Sequence, residues 1–490
     1  MDRLDRRSLL MGGGLVLGAA ACSRPLAAAS GAGQTLLPIP PLIDARKQGL
    51  SSSLRAQAGP TSFLPGRPSD TLGYNGSYLG PTLRVHTGDE VKVAVTNSMA
   101  ADTTVHWHGL LISGEFDGGP HQIIAPGATW RPTLPIHQPA ATLFYHPHAH
   151  GLTAKQVYSG LAGVFLVSDE EERGLGLPAD YGVDDLPLVI QDRQFQDGRL
   201  VMPTGMMIAM QGRRGDTILV NGAPTPMARV PSRLVRLRLV NGSNARIYEL
   251  SFSDGRAFHW IAAEGGLLER PVELQAITLA PGQRAEVLVN FADGKSVSLV
   301  TGADSNSSMM GDMMGSAAGG TSASAPAMVL RFEPQAMGQA RANTSVPKLL
   351  GSRTRPDVNR AVQRRRLVLN MGMGGMIGSG GGMALTINGK AFDMNRIDER
   401  VKLGASEIWE VSGETMRHPF HIHGVHFEVL SRGGGKPDVL NQGSRDTVLV
   451  KEPVEFLIQF DQPAVKAPFM YHCHILEHED NGMMGQFTVA

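Results

Sequence analysis

Cysteine is scarce in this chain: among 490 residues only Cys22 and Cys473 occur. Cys22 falls in a segment that reads as an export signal, so the mature protein keeps one thiol and no disulfide framework. Charge of one sign is also lacking. Lys+Arg and Asp+Glu number 45 each, and no basic stripe appears, which argues against nucleic acid as a partner. Long apolar runs are missing too. The longest, near the N-terminus, has about 14 residues where roughly 20 would span a bilayer, so no stable membrane insertion is expected. Helical periodicity is scarce, whereas 59 glycines and 31 prolines suit many short strands joined by turns.

The first 30 residues carry Arg6 and Arg7 in the string DRRSLLMGG, an apolar stretch to Ala21, and small residues for cleavage at Ala27-Ala28-Ala29. Together these fit a bacterial twin-arginine signal over residues 1–30 and a periplasmic address. A lipoprotein cut before Cys22 is the alternative, although Ala19-Ala20-Ala21 lacks the usual Leu.

What the chain does have is histidine in strings: His106-Trp-His108, His146-Pro-His148, His418-Pro-Phe-His421-Ile-His423 and His472-Cys473-His474-Ile-Leu-Glu-His478. Random placement of 16 His in 490 residues would give roughly half of one His-x-His pair, an order-of-magnitude prior. Five occur, counting His148 and His150. Residues two apart on a strand face the same side, so each pair aims two imidazoles into one space.

Weak internal repeats organise the rest. An APG turn precedes alternating residues at Ala125-Pro126-Gly127 and at Ala280-Pro281-Gly282, with a looser copy at Pro453. Period-two alternation runs through 84–97, 232–243 and 401–413. The pattern predicts an all-β chain of three Greek-key β-sandwich domains resembling cupredoxins, over 37–170, 180–335 and 362–490. The middle repeat has no His pair, so a metal cluster is expected between domains one and three, with domain two as a spacer.

Cys473 narrows the metal. A thiolate with two imidazoles and a weak thioether is the blue-copper set, whereas structural zinc sites close as tetrahedra of Cys and His. His478 follows Cys473 at plus five and Met483 at plus ten, and His418 can return from the preceding strand. Because side chains alternate along a strand, Cys473 points one way and His472 and His474 the other.

With HWHG, YHPHAHG, HPFHIHG and HCHILEHEDNGMM in order, the chain resembles the multicopper oxidases. The resemblance implies four copper ions, one type 1, one type 2 and two type 3, with dioxygen as acceptor. His418, Cys473, His478 and Met483 match the type 1 ligands, and His106 and His421 the type 2 pair. His108, His146, His148, His423, His472 and His474 match the type 3 ligands. His150 is left over, for a supporting or surface role. Asp117 and Glu479 match positions that relay protons in the family, the alternative being carboxylates that only orient neighbouring groups.

Of 23 Met, four lie in SSMMGDMMGS (307–316) and four in the Gly-rich 371–383. Thioethers prefer Cu(I). Together with LPIPPLI, GYNGSYLGP, NGSNAR and INGKAFDMN, they resemble the bacterial copper-efflux, or cuprous, oxidases. That branch implies a substrate-copper site at Glu414, Met416 and Met371, with Cu(I) as donor. The pattern departs from the branch where a second acidic ligand falls near Met376 and where the Met-rich insert is short and lacks His. A small phenolic or aromatic amine donor, as in a laccase, is the alternative. A copper-free relative and a copper-binding or storage protein are the non-enzymatic ones, and a monomer is expected.

Overall fold

A computed structural model describes residues 35–304, 306, 326–336, 345–352, 357–373 and 383–490. The expected export segment with Cys22, the 307–316 Met string and Met376 lie outside these residues. Among the described residues the chain forms six β-sheets, two per sandwich, arranged as three cupredoxin domains. Each sandwich has its own apolar core. Helices are short: Thr153–Tyr158, Glu170–Gly174, Met206–Gln211 and Leu476–Asp480. No helix among these residues is long and apolar enough to cross a membrane.

In the first sandwich, His106–His108 pairs antiparallel with Ala141–His146, setting His106 opposite His146 and Trp107 opposite Tyr145. Strand alternation then divides the side chains. Trp107 and Tyr145 enter the core, and the histidines face the other way. In the third sandwich, His418–Ile422 lies between Thr447–Val450 and Ala464–Cys473, with Phe420 opposite Cys473 and His421 opposite His472. The three-residue step from His418 to His421 puts them on opposite faces. His418 shares the core side with Cys473, and His421 shares the outer side with His472.

The middle strand Leu234–Asn241 shows where alternation misleads. Its Arg236 and Arg238 mimic a solvent face, yet every residue of the strand is buried. Both guanidiniums meet Glu172 and Glu286, and Arg238 also meets Asp185 at 2.6 Å. Burial opposes ionisation of Glu286, but the two arginines outweigh it and bring its carboxyl down to about 2. This ionic layer joins domain two to Thr142 of domain one and satisfies charges that could not be buried alone.

Candidate metal centres

The outer histidine faces of domains one and three meet. His106 stacks on His423 with ring centroids 3.7 Å apart, and His108 on His421 at 3.6 Å. Nitrogens converge between them: His106 Nε2 to His421 Nε2 at 3.4 Å, His148 Nε2 to His472 Nε2 at 3.1 Å, His423 Nε2 to His472 Nε2 at 3.2 Å and His108 Nδ1 to His146 Nε2 at 3.3 Å. His474 lies beside them, 5.0 Å from the His108 ring centroid, with neither nitrogen hydrogen-bonded. His150 is exposed and lies against Phe392 instead.

The protons on these rings are fixed by their outer partners. His106 Nδ1 donates to the Asp117 carbonyl, His421 Nδ1 to the Asp446 carbonyl, and His423 Nδ1 to Asp117 Oδ2 at 2.7 Å. The inward nitrogens of these rings therefore carry bare lone pairs. Bare lone pairs facing one another in a dry site repel unless a cation lies between them. Two nitrogens each about 2.0–2.1 Å from one first-row ion would stand about 3.3–3.6 Å apart, close to the spacings seen. Burial, reinforced by neighbouring imidazoles, holds His146, His148, His423, His472 and His474 well below the usual histidine range. Neutral imidazole is the ligand form, so the residues fit a group of copper ions.

On the core side of the same strands, Cys473 Sγ stands 3.4 Å from His418 Nδ1 and 3.5 Å from His478 Nδ1. All three are buried, and Met483 lies in the same core cluster. Burial pushes the Cys473 thiol up and His478 down to about 4. A buried, uncharged sulfur with two neutral imidazoles becomes a thiolate site when a cation enters, which fits one copper. His478 Nε2 donates to the Met210 carbonyl at 2.8 Å, a contact from domain two.

Two carboxyls lie against the histidine cluster. Asp117 bonds His423 and stands 3.4 Å from His106 Nδ1, with Oδ1 unpartnered. Glu479 stands 3.2 Å from His472 Nδ1 and 3.4 Å from His148 Nδ1. Burial, then Asp480, pushes Glu479 well above the usual carboxylate range. Met371 and Met416 are partly buried against the core cluster that also holds Cys473 and Met483, and Thr415 donates to Met371 Sδ at 3.2 Å. Glu414 is exposed.

Domain two is more than a spacer. Its Gly282 lies so close to His474 that a Cβ there would come 2.9 Å from the ring, and its Arg284 forks onto the buried Asp446 at 2.7 and 2.6 Å. Neither residue was marked by the histidine spacing. The APG repeat was the one sequence signal at Gly282, and Asp446 carried none.

Three sandwiches, the first and third of which meet across paired, buried imidazole faces, define a copper-cluster protein, and the comparisons agree. Family profiles described as multicopper oxidase match residues 55–172, 188–309 and 362–490. The chain belongs to the multicopper oxidase family. It is 37% identical over 473 residues to multicopper oxidase mco of Staphylococcus aureus, covering 94% of each chain. It is also 37% identical over 490 residues to cell division protein FtsP of Escherichia coli K12, covering 99% of each. A solved laccase-like multi-copper oxidase, CueO from Ochrobactrum sp., superposes with a TM-score of 0.83 at 40% identity, covering 93% of this chain and 100% of that one. Because one relative is named for cell division, membership alone does not assign catalysis, and the ligand sets carry that argument.

Proposed function

We propose that the protein is an exported, periplasmic copper oxidase that couples one-electron oxidation of Cu(I) to reduction of dioxygen: four Cu(I), one O2 and four protons give four Cu(II) and two waters. The observation that carries this reading is Cys473. Its sulfur belongs to one buried ligand set while its chain neighbours His472 and His474 face the other, so a few covalent bonds join the two sites. The ligands are assigned as in the resemblance: His418, Cys473, His478 and Met483 for one ion, and the eight remaining paired histidines for three. Copper held there would supply one-electron steps at the first site and a store of electrons for dioxygen at the second.

The protein's own groups serve the proton demand. Glu479 can hold a proton against His148 and His472, and Asp117 orients His423 while keeping one oxygen free for transfer. His418 and His478 are both fully buried, which favours a small donor over a bulky phenol. Two thioethers at Met371 and Met416, packed against the core cluster of the third sandwich, suit Cu(I).

Oxygen uptake by the copper-loaded protein, with Cu(I) compared against a phenol, tests this reading. Glu414→Gln with Met416→Leu should raise the apparent KM for Cu(I) and spare phenol oxidation. Equal loss of both activities, or no loss with Cu(I), would replace the cuprous reading by a laccase one.

A further inference from the structure

One of the clustered imidazoles is turned around. His106, His148, His421, His423 and His472 present Nε2 to a facing histidine, whereas His108 presents Nδ1, 3.3 Å from His146 Nε2. Its Nε2 points the opposite way, 3.1 Å from Asp446 Oδ1 and 3.3 Å from Thr447 Oγ1. A carboxylate can only accept, so this contact fixes the proton on Nε2 and leaves Nδ1 bare.

Asp446 is in turn held from domain two. Arg284 donates through Nη1 to Oδ1 and through Nη2 to Oδ2, and Thr447 Oγ1 donates to Oδ1 at 2.8 Å. Both ion-pair partners are fully buried. Arg284 is itself anchored to domain one, where its Nε donates to the Thr142 carbonyl at 3.1 Å. The chain of contacts therefore begins on domain two, passes through a carboxylate of domain three and ends on an imidazole of domain one.

The geometry points to Asp446, oriented by Arg284, as the positioning residue that sets the Nε2-protonated tautomer of His108 and so makes this one imidazole a ligand through Nδ1. This rests on the reading that the cluster holds copper, but the tautomer itself does not need the metal. Domain two thereby takes part in assembling a site whose ligands all come from the other two domains. A supporting carboxylate that orients a metal-bound imidazole is a general device, and here an arginine from a third domain holds that carboxylate in place.

Asp446→Asn keeps the shape and removes the guaranteed acceptor. Either orientation of the amide sets its NH2 against a donor of Arg284. On the Oδ1 side, however, that NH2 can donate to Thr447 Oγ1 and to His108 Nε2, whereas the contact at Oδ2 is the Arg284 Nη2 donor. The first orientation is favoured and puts the His108 proton on Nδ1. The double variant Asp446→Asn with Arg284→Gln removes that conflict: the Gln carbonyl accepts from the Asn NH2 and leaves the Asn oxygen for His108. The measurements are the 15N spectrum of histidine-labelled copper-free protein, copper per chain, and the EPR signal of the loaded protein. Expected for Asp446→Asn are loss of the Nε2–H form of His108, about one copper fewer per chain, and a new EPR signal from an ion that has lost its coupled partner, with the Cys473 blue band kept. The double variant should recover the tautomer and the copper.

If Asp446→Asn keeps the wild-type His108 tautomer and full copper, the proposal is overturned. If that variant does not fold, the double variant decides: a wild-type tautomer upholds the proposal, and a lost Nε2–H form overturns it. A wild-type protein that shows the tautomer but binds fewer than four copper ions would instead refute the oxidase reading.

Discussion

Acid should unfold the copper-free protein in a window set by its buried histidines. His108, His146, His148, His418, His421, His423, His472, His474 and His478 all have depressed values, burial being the first cause, with His478 near 4. Below about pH 6.5 the unfolded chain binds protons that these imidazoles in the fold do not, so stability is present above that pH and is lost as it falls. With each ring neutral in the fold, the loss is about 1 kcal/mol per imidazole between pH 7 and 5.5, or roughly 10 kcal/mol for the set. Glu479 and Asp480 act oppositely. Their carboxyls are raised, Asp480 to about 7, so the fold gains protons there, and together they return roughly 4 kcal/mol between pH 7 and 5.5. Carboxyls held low, such as Glu286 at about 2, lose their contribution only at far lower pH. The net loss of roughly 6 kcal/mol is comparable to the whole stability of a domain. At about 2–4 °C per kcal/mol for a unit of sandwich size, the melting midpoint should fall by roughly 10–20 °C. Thermal unfolding of copper-free protein from pH 7 to 5.5 measures it, and the copper-loaded protein should melt at a higher midpoint at each pH because the metal binds the fold in preference to the unfolded chain. A copper-free midpoint constant to within a few degrees would refute the reasoning.

Other perturbations separate the two sites. Cys473→Ser should abolish the intense visible band of a copper-thiolate bond while the protein stays folded; a copper-loaded variant that stays blue counts against the ligand. Gly282→Ala places a Cβ 2.9 Å from His474 at φ +82°, a backbone strain of about 1–2 kcal/mol in addition to the ring contact. Copper analysis should show about one ion lost with the blue band intact, and unchanged copper content would show that the His474 contact is slack. Glu479→Gln keeps the contacts but cannot exchange a proton, so oxygen turnover should fall about 100-fold or more at full copper content. A rate within twofold of the parent would assign Glu479 an orienting role alone.

The sequence by itself determined much of this protein. Strand alternation is local, so His-x-His pairs such as His106 and His108 must share a face, and His418 must oppose His421 three residues on. The Cys473 bridge between two sites follows from the same covalent geometry. The repeats made three sandwiches legible because each strand carries its own period-two pattern. Tertiary structure decided what lies on the second face of each strand. Arg236 and Arg238 alternate with apolar neighbours as a solvent face would, and only the apposition of Glu172, Asp185 and Glu286 explains their burial. Which ring nitrogen of His108 faces the cluster was not encoded nearby either: it depends on Asp446, 338 residues away, and on Arg284 from a domain without a single His pair. Spacing along a chain fixes the direction of a side chain relative to its own strand, whereas proton positions and buried charge depend on partners that only the packing of three domains brings into reach.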